Sequence, residues 1–175
     1  MTIKRLQTSI TQCSSGSAGS TNTIFLQLSF MMLMEFVVFG SWFATLGLVL
    51  QTSGLASLIG PTYLLCAIAA MVSPLFLGAL SDRFIESQKV LSLAHILGGL
   101  VLLMLPSKVG ADHVPAFLLL VFVYTIFFMP TLGLVNSISL RHLGDAKEKF
   151  AYIRIFAPMG WVIAGFGIGL AGLPA

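Results

Sequence analysis

Between Glu35 and Asp82 the chain runs for 46 residues without an Asp, Glu, Lys or Arg, and no other feature limits its fold as much. Further charge-free stretches cover 90–107, 114–140 and 155–175. A bilayer core about 30 Å thick is crossed by about 20 apolar residues in a helix. The longest gap therefore holds most of two helices and a tight turn, and the polar, turn-prone Gln51, Thr52, Ser53 and Gly54 mark the break. The predicted spans are 24–50, 58–80, 90–105, 115–140 and 152–173. Charged residues make up only 9% of the 175, too few to cover a water-facing surface, for which soluble domains carry roughly 25%. Membrane strands are excluded because 117–128 reads FLLLVFVYTIFF, whereas a barrel strand alternates apolar and polar residues. Helices are the other structure that satisfies its own backbone in lipid. The expected fold class is all-α integral membrane, with about five transmembrane helices in contact with the lipid bilayer.

Lys and Arg accumulate in short cytoplasmic loops. With the N-terminus inside, the inner segments hold Lys4, Arg5, Arg83, Lys89, Arg141, Lys147 and Lys149, and the outer segments hold Lys108 alone. The expected topology is a multi-pass protein of the cytoplasmic membrane with a cytoplasmic N-terminus. Residues 1–23 are rich in Ser, Thr and Gly over 8–22 and read as a disordered cytoplasmic tail. A signal peptide would place its apolar stretch directly after Lys4 and Arg5. Cys13 in the tail and Cys66 in the second span lie at different depths, which argues against a disulfide. No metal-ligand spacing, phosphate loop or nucleophile–base pair is visible, which argues against an enzyme and against a bound cofactor. The net charge of +3 reflects the inner loops and does not imply nucleic acid.

Three ionisable residues fall inside the spans: Glu35, His95 and Arg154. Such residues cost about 2.5 kcal/mol or more at a helix centre and usually face a cavity or a partner. Glu35 shares a helix face with Phe39 and Trp42, one and two turns on. A carboxylate beside two aromatic rings suits a planar polar substrate; hydrogen bonding to a neighbouring helix is the competing role. Glu35 is also the one acidic residue expected deep in the membrane among these helices, hence a candidate for the coupled proton; a carboxylate outside these five helices is the competitor, in which case Glu35 accepts a hydrogen bond from substrate or pairs with Arg154. Arg154, near the inner end of the fifth span, either snorkels to the interface or points into a cavity. His95 alone reads as a structural hydrogen-bonding residue. In the fourth span Thr131, Asn136, Ser137 and Ser139 suit interhelical hydrogen bonds or substrate contact. In the last span Gly165 and Gly169 form a small-xxx-small pair expected to pack closely on another helix.

After the second span, Gly78, Leu80, Asp82 and Arg83 resemble the G-x-L-x-D-R signature of the major facilitator superfamily. That resemblance implies a loop that latches the two halves of a transporter. The signature's basic end is not kept, since the loop continues Phe84, Ile85, Glu86. Phe39-Gly40-Ser41-Trp42 with Thr45-Leu46-Gly47 resembles the first helix of the nucleoside:proton symporters. So do the string from Met129 to Ser139 (MPTLGLVNSIS) and Ile153-Arg154-Ile155 opening the fifth helix. The resemblance spans roughly 28–170. It implies nucleoside uptake driven by the proton gradient, in a fold of two six-helix halves. It also implies that Arg154 is the substrate-binding arginine. Where the family has a Thr one turn later, this chain has Pro158; where it has a Phe, this chain has Trp161, which still offers a ring for stacking. Glu35 stands where better-known members have a Gln.

The chain stops at Ala175, where the fifth helix is expected to end. Alternating access needs a second half to rock against the first. The expectation is an incomplete N-terminal half, inactive without the missing C-terminal half of the transporter. The expected substrate contacts are Arg154, Trp161, Glu35, Phe39, Trp42 and Asn136. A transporter of another solute, such as a sugar or drug, and a non-transporting remnant stay open.

Overall fold

The computed structural model describes the backbone of residues 2–83, 86–143 and 147–171, and the side chains of 22–73, 75, 86–143 and 148–171. The five helices are α1 (Thr2–Thr52), α2 (Ile59–Arg83), α3 (Ser87–Met104), α4 (Val114–Leu143) and α5 (Phe150–Leu170). The stretches long and apolar enough to cross a membrane are Asn22–Thr52, Ala56–Ser73, Ser87–Lys108, Ala111–Leu143 and Phe150–Leu170. At 1.5 Å per residue even the 21 residues of α5 reach about 31 Å, enough for the hydrocarbon core. The tail expected over 1–23 lies almost wholly outside the described side chains.

Several helices outrun the spans expected from the sequence at one end: α2 continues to Arg83 rather than 80, α3 starts at Ser87 rather than 90 and α4 runs to Leu143 rather than 140. Hydropathy marks only the hydrocarbon span, while a helix needs no apolar residues to continue into the polar interface. Between α1 and α2 the chain turns at Gly54, whose φ of 74° is open to glycine without the steric cost a Cβ would add.

α1 lies along α5, and α4 sits between α2 and α3 while also touching α1. The helices alternate in direction. One cavity gathers Thr45 and Val49 near the end of α1, Leu102 near the end of α3 and Phe117 near the start of α4. At the opposite end a second cleft gathers Gln27 of α1, Gln88 of α3 and His142 of α4. Lys108, just past α3, therefore lies at the opposite end of the bundle from Arg141, Lys89 and Lys149.

The α1–α5 contact is closest at Gly160. A Cβ there would lie 2.6 Å from the Leu33 carbonyl oxygen and 2.9 Å from the Val37 nitrogen. One turn further, a Cβ on Gly40 would stand 3.0 Å from the Ala164 Cβ. Gly165 and Gly169, the pair with packing spacing, meet none of the described residues. They fall on the other side of α5 from Ile153, Ala157, Gly160 and Ala164, which form its buried stripe.

Buried apolar side chains form two clusters. One holds Trp42, Leu46 and Leu50 of α1 with Phe117, Val121, Tyr124 and Phe128 of α4. The other holds Leu28 and Met32 of α1, Val135 and Ile138 of α4, and Ile153 and Ala157 of α5. On α1 the residue between them is Glu35, and on α4 it is Thr131, both buried. Several other polar side chains are absorbed locally by the helical backbone. Ser41, Thr45, Thr62, Thr125 and Ser139 each donate to the carbonyl four residues back, which satisfies a hydroxyl where no water is present.

Candidate functional site: a polar layer beside an aromatic junction

The polar layer joins three helices. Thr131 Oγ1 of α4 donates to Glu35 Oε1 of α1 at 2.5 Å. His95 Nε2 of α3 lies 3.1 Å from Glu35 Oε2. His95 Nδ1 is held 3.0 Å from the Leu91 carbonyl oxygen, and the His95 ring meets Phe128 at 6.1 Å between centroids. Both carboxylate oxygens of Glu35 thus have a partner, and the side chain is only 4% exposed, against 34% for His95. A pairing of Glu35 with Arg154, one role open to it from the sequence, does not occur: Thr131 and His95 take its oxygens.

The aromatic junction is built on Phe39. Its ring lies 6.0 Å from Trp42 and 5.1 Å from Phe43 on α1, 5.8 Å from Phe128 on α4, and 5.4 Å edge-on from Trp161 on α5. Trp42 is buried beneath it, edge-on to Tyr124 at 4.8 Å, and its indole Nε1 has no hydrogen-bond partner among the described residues. Tyr63 of α2 braces the same region by donating its hydroxyl to the Phe43 carbonyl oxygen at 2.8 Å.

The residues singled out in the sequence are therefore split. Phe39 and Trp161 meet. Glu35 and Trp42 turn into α4, beneath the surface. Arg154 is exposed on α5, seven residues and so two turns from Trp161, on the same face. Asn136 is half-buried and donates its amide to the Leu132 carbonyl oxygen at 2.9 Å. α2 carries Gly78, Asp82 and Arg83 in its last turns, but their side chains lie outside the described residues. Pro158, one turn past Arg154, sits within α5 and lacks an N–H, so the Arg154 carbonyl has no donor four residues on.

Sequence reasoning did not join His95 and Thr131 to Glu35. One signal for half of it was present: Glu35 lies 13 residues inside the start of its span at Asn22, and Thr131 lies 12 inside the end of its span at Leu143. In antiparallel neighbours these are equal depths. Which faces oppose each other is decided by packing, which a single chain's periodicity does not give.

Residues 22–172 match the family described as Nucleoside H+ symporter. The chain belongs to this family. Its relatives include YegT of Escherichia coli (strain K12), 36% identical over 82% of this chain, and the nucleoside permease NupG of the same organism, 32% identical over 84%. The xanthosine permease of that organism is 27% identical over 85%. A crystal structure of the nucleoside transporter NupG, carrying a point mutation, superposes with a TM-score of 0.78 at 30% identity, over 85% of this chain and 38% of that one. The chain spans about a third of the length of the curated relatives it matches, from 33% of YegT to 36% of the others. The five helices of this nucleoside symporter family member have the major facilitator arrangement, in a multi-pass membrane protein.

Proposed function

We propose that these helices form the N-terminal part of a nucleoside transporter that takes nucleosides across the cytoplasmic membrane by alternating access, driven by protons. The observation that carries the reading is the junction of Phe39 with Trp161, which sets two aromatic rings at the edge of the α1–α5 contact with Arg154 two turns along the same face. Aromatic faces stack on a base, and the guanidinium fork donates to the base or to ribose hydroxyls. Trp42 backs Phe39 from below, and Asn136 keeps one amide hydrogen and its carbonyl for a ligand. The family match and the nucleoside permeases among the relatives support this class of substrate. The N-terminus faces the cytoplasm, as the basic end of the bundle favours. Glu35 binds the coupled proton, and Gly78, Asp82 and Arg83 latch this half to the other.

Five helices contribute half of such a site, so the 175 residues alone do not transport. The test is equilibrium binding of uridine by a full-length protein carrying these helices, with a hexose and a cationic drug as competitors. Displacement of uridine by other nucleosides alone is expected. Displacement by the hexose or the drug, or no uridine binding, overturns the nucleoside reading.

A further inference from the structure

The partners of the two His95 ring nitrogens bear on where the protons of the Glu35–His95 pair sit. His95 Nδ1 faces the Leu91 carbonyl oxygen at 3.0 Å, and a carbonyl only accepts, so the tautomer that satisfies this contact has hydrogen on Nδ1. The second ring nitrogen faces Glu35 Oε2 at 3.1 Å. A hydrogen bond at that distance requires one proton on the line between them. It rests either on Nε2, giving imidazolium and carboxylate, or on Oε2, giving imidazole and carboxylic acid. With neither, the Nε2 lone pair would point at a carboxylate oxygen and the contact would repel.

We propose that Glu35 and His95 together form one proton-binding site, in which a single proton held between Oε2 and Nε2 fastens α1 to α3 while Thr131 ties the other carboxylate oxygen to α4. The site deepens the reading of Glu35 as the coupling residue by giving the proton a second owner and a mechanical effect. Thr131 has one hydroxyl hydrogen and two acceptors in reach, Glu35 Oε1 and the Phe128 carbonyl oxygen, each at 2.5 Å. The charge-assisted bond to the carboxylate is the stronger, so Thr131 holds Glu35 in place in the ionised state. It cannot replace the proton on the Oε2 side. Loss of that proton leaves His95 one ring hydrogen for two acceptors, Glu35 Oε2 and the Leu91 carbonyl oxygen, so one of the two contacts loses its donor and the tie between α1 and α3 weakens.

His95, the more exposed partner, is the side from which the proton is exchanged. Among the described residues no other charged group is in contact with the pair. From α4, Tyr124 lies within electrostatic reach of Glu35. From α2, Tyr63 and Cys66 are engaged with the Phe43 carbonyl and the Thr125 hydroxyl. Arg154, on α5 against the other side of α1, is exposed.

The test is a pH titration of the 175-residue chain in lipid nanodiscs, by infrared difference spectroscopy of the carboxyl band together with nitrogen NMR of ring-labelled histidine. The expected result is one step, the loss of the shared proton, at which the Glu35 band and the His95 ring signals change with the same midpoint; a second proton on the pair adds a separate, more acidic step. Glu35→Gln should shift the His95 response, and His95→Gln should shift the Glu35 response, each with helix content unchanged. If a variant does not fold, the wild-type spectra still decide, because loss of one shared proton must register at both groups together. A Glu35 step with no change at His95, or, below the step, a ring with hydrogen on Nε2 and none on Nδ1, overturns the proposal. The titration needs no nucleoside. A chain that titrates this way but carries nothing upholds the site and faults only the transport reading.

Discussion

Replacing Gly160 with Ala tests whether α1 and α5 are held as close as the structure has them. The new methyl would meet the Leu33 carbonyl oxygen at 2.6 Å, the Val37 nitrogen at 2.9 Å and the Phe36 Cβ at 3.0 Å. Two of these are backbone atoms and cannot rotate away. Ordinary contact begins at 3.4 Å, so the helices must separate by up to about 0.8 Å at this level, a typical overpacking strain. The separation also loosens the Gly40–Ala164 contact one turn along. Overpacking of this kind costs about 1–3 kcal/mol, offset by about 0.5–1 kcal/mol from the better helix propensity of Ala. A net loss of about 1–2 kcal/mol is expected. Gly165→Ala is the matched control: nothing lies within 4 Å of its Cβ, so it should gain about 0.5–1 kcal/mol. Unfolding by SDS in mixed micelles, followed by circular dichroism, measures both. Equal stability of the two variants would refute the close approach.

Arg154→Ala, in a full-length protein, should abolish nucleoside binding while leaving thermal stability unchanged. Arg154→Lys should recover little of it, because an ammonium lacks the planar fork; normal affinity in Arg154→Ala would leave an interfacial anchor as its role. Tyr63→Phe removes the donor to the Phe43 carbonyl and should cost about 0.5–1.5 kcal/mol in the same SDS titration; no loss would show that the hydroxyl does not brace α1.

The five membrane-crossing helices are legible from the charge pattern alone. Long apolar gaps separated by basic or turn-forming residues admit few structures, because lipid penalises every unpaired backbone group. The break at Gln51 to Gly54 is visible for the same reason. The site is less legible. Glu35, Phe39 and Trp42 share a helical stripe, but the stripe meets different partners in the fold: Glu35 and Trp42 enter α4, and Phe39 lies between Phe128 of α4 and Trp161 of α5. A helical repeat shows which residues share a face, and it does not show what that face meets. His95 looked structural because its partner is 60 positions away in sequence. The glycines of α5 are similar: Gly165 and Gly169 have the spacing of a packing motif, but within these five helices it is Gly160, on the same stripe as the buried Ala157 and Ala164, that makes the close contact. Spacing permits close approach on either side of a helix, and the neighbours decide which side is used.

The central claim is proton-driven nucleoside transport, and accumulation of tritiated uridine tests it most directly. Proteoliposomes would hold a full-length protein that carries these five helices, with an inward proton gradient imposed. The account predicts uridine concentrated above the external level, collapsing to equilibrium when a protonophore is added. Uptake that only equilibrates, and is indifferent to the gradient, would contradict it.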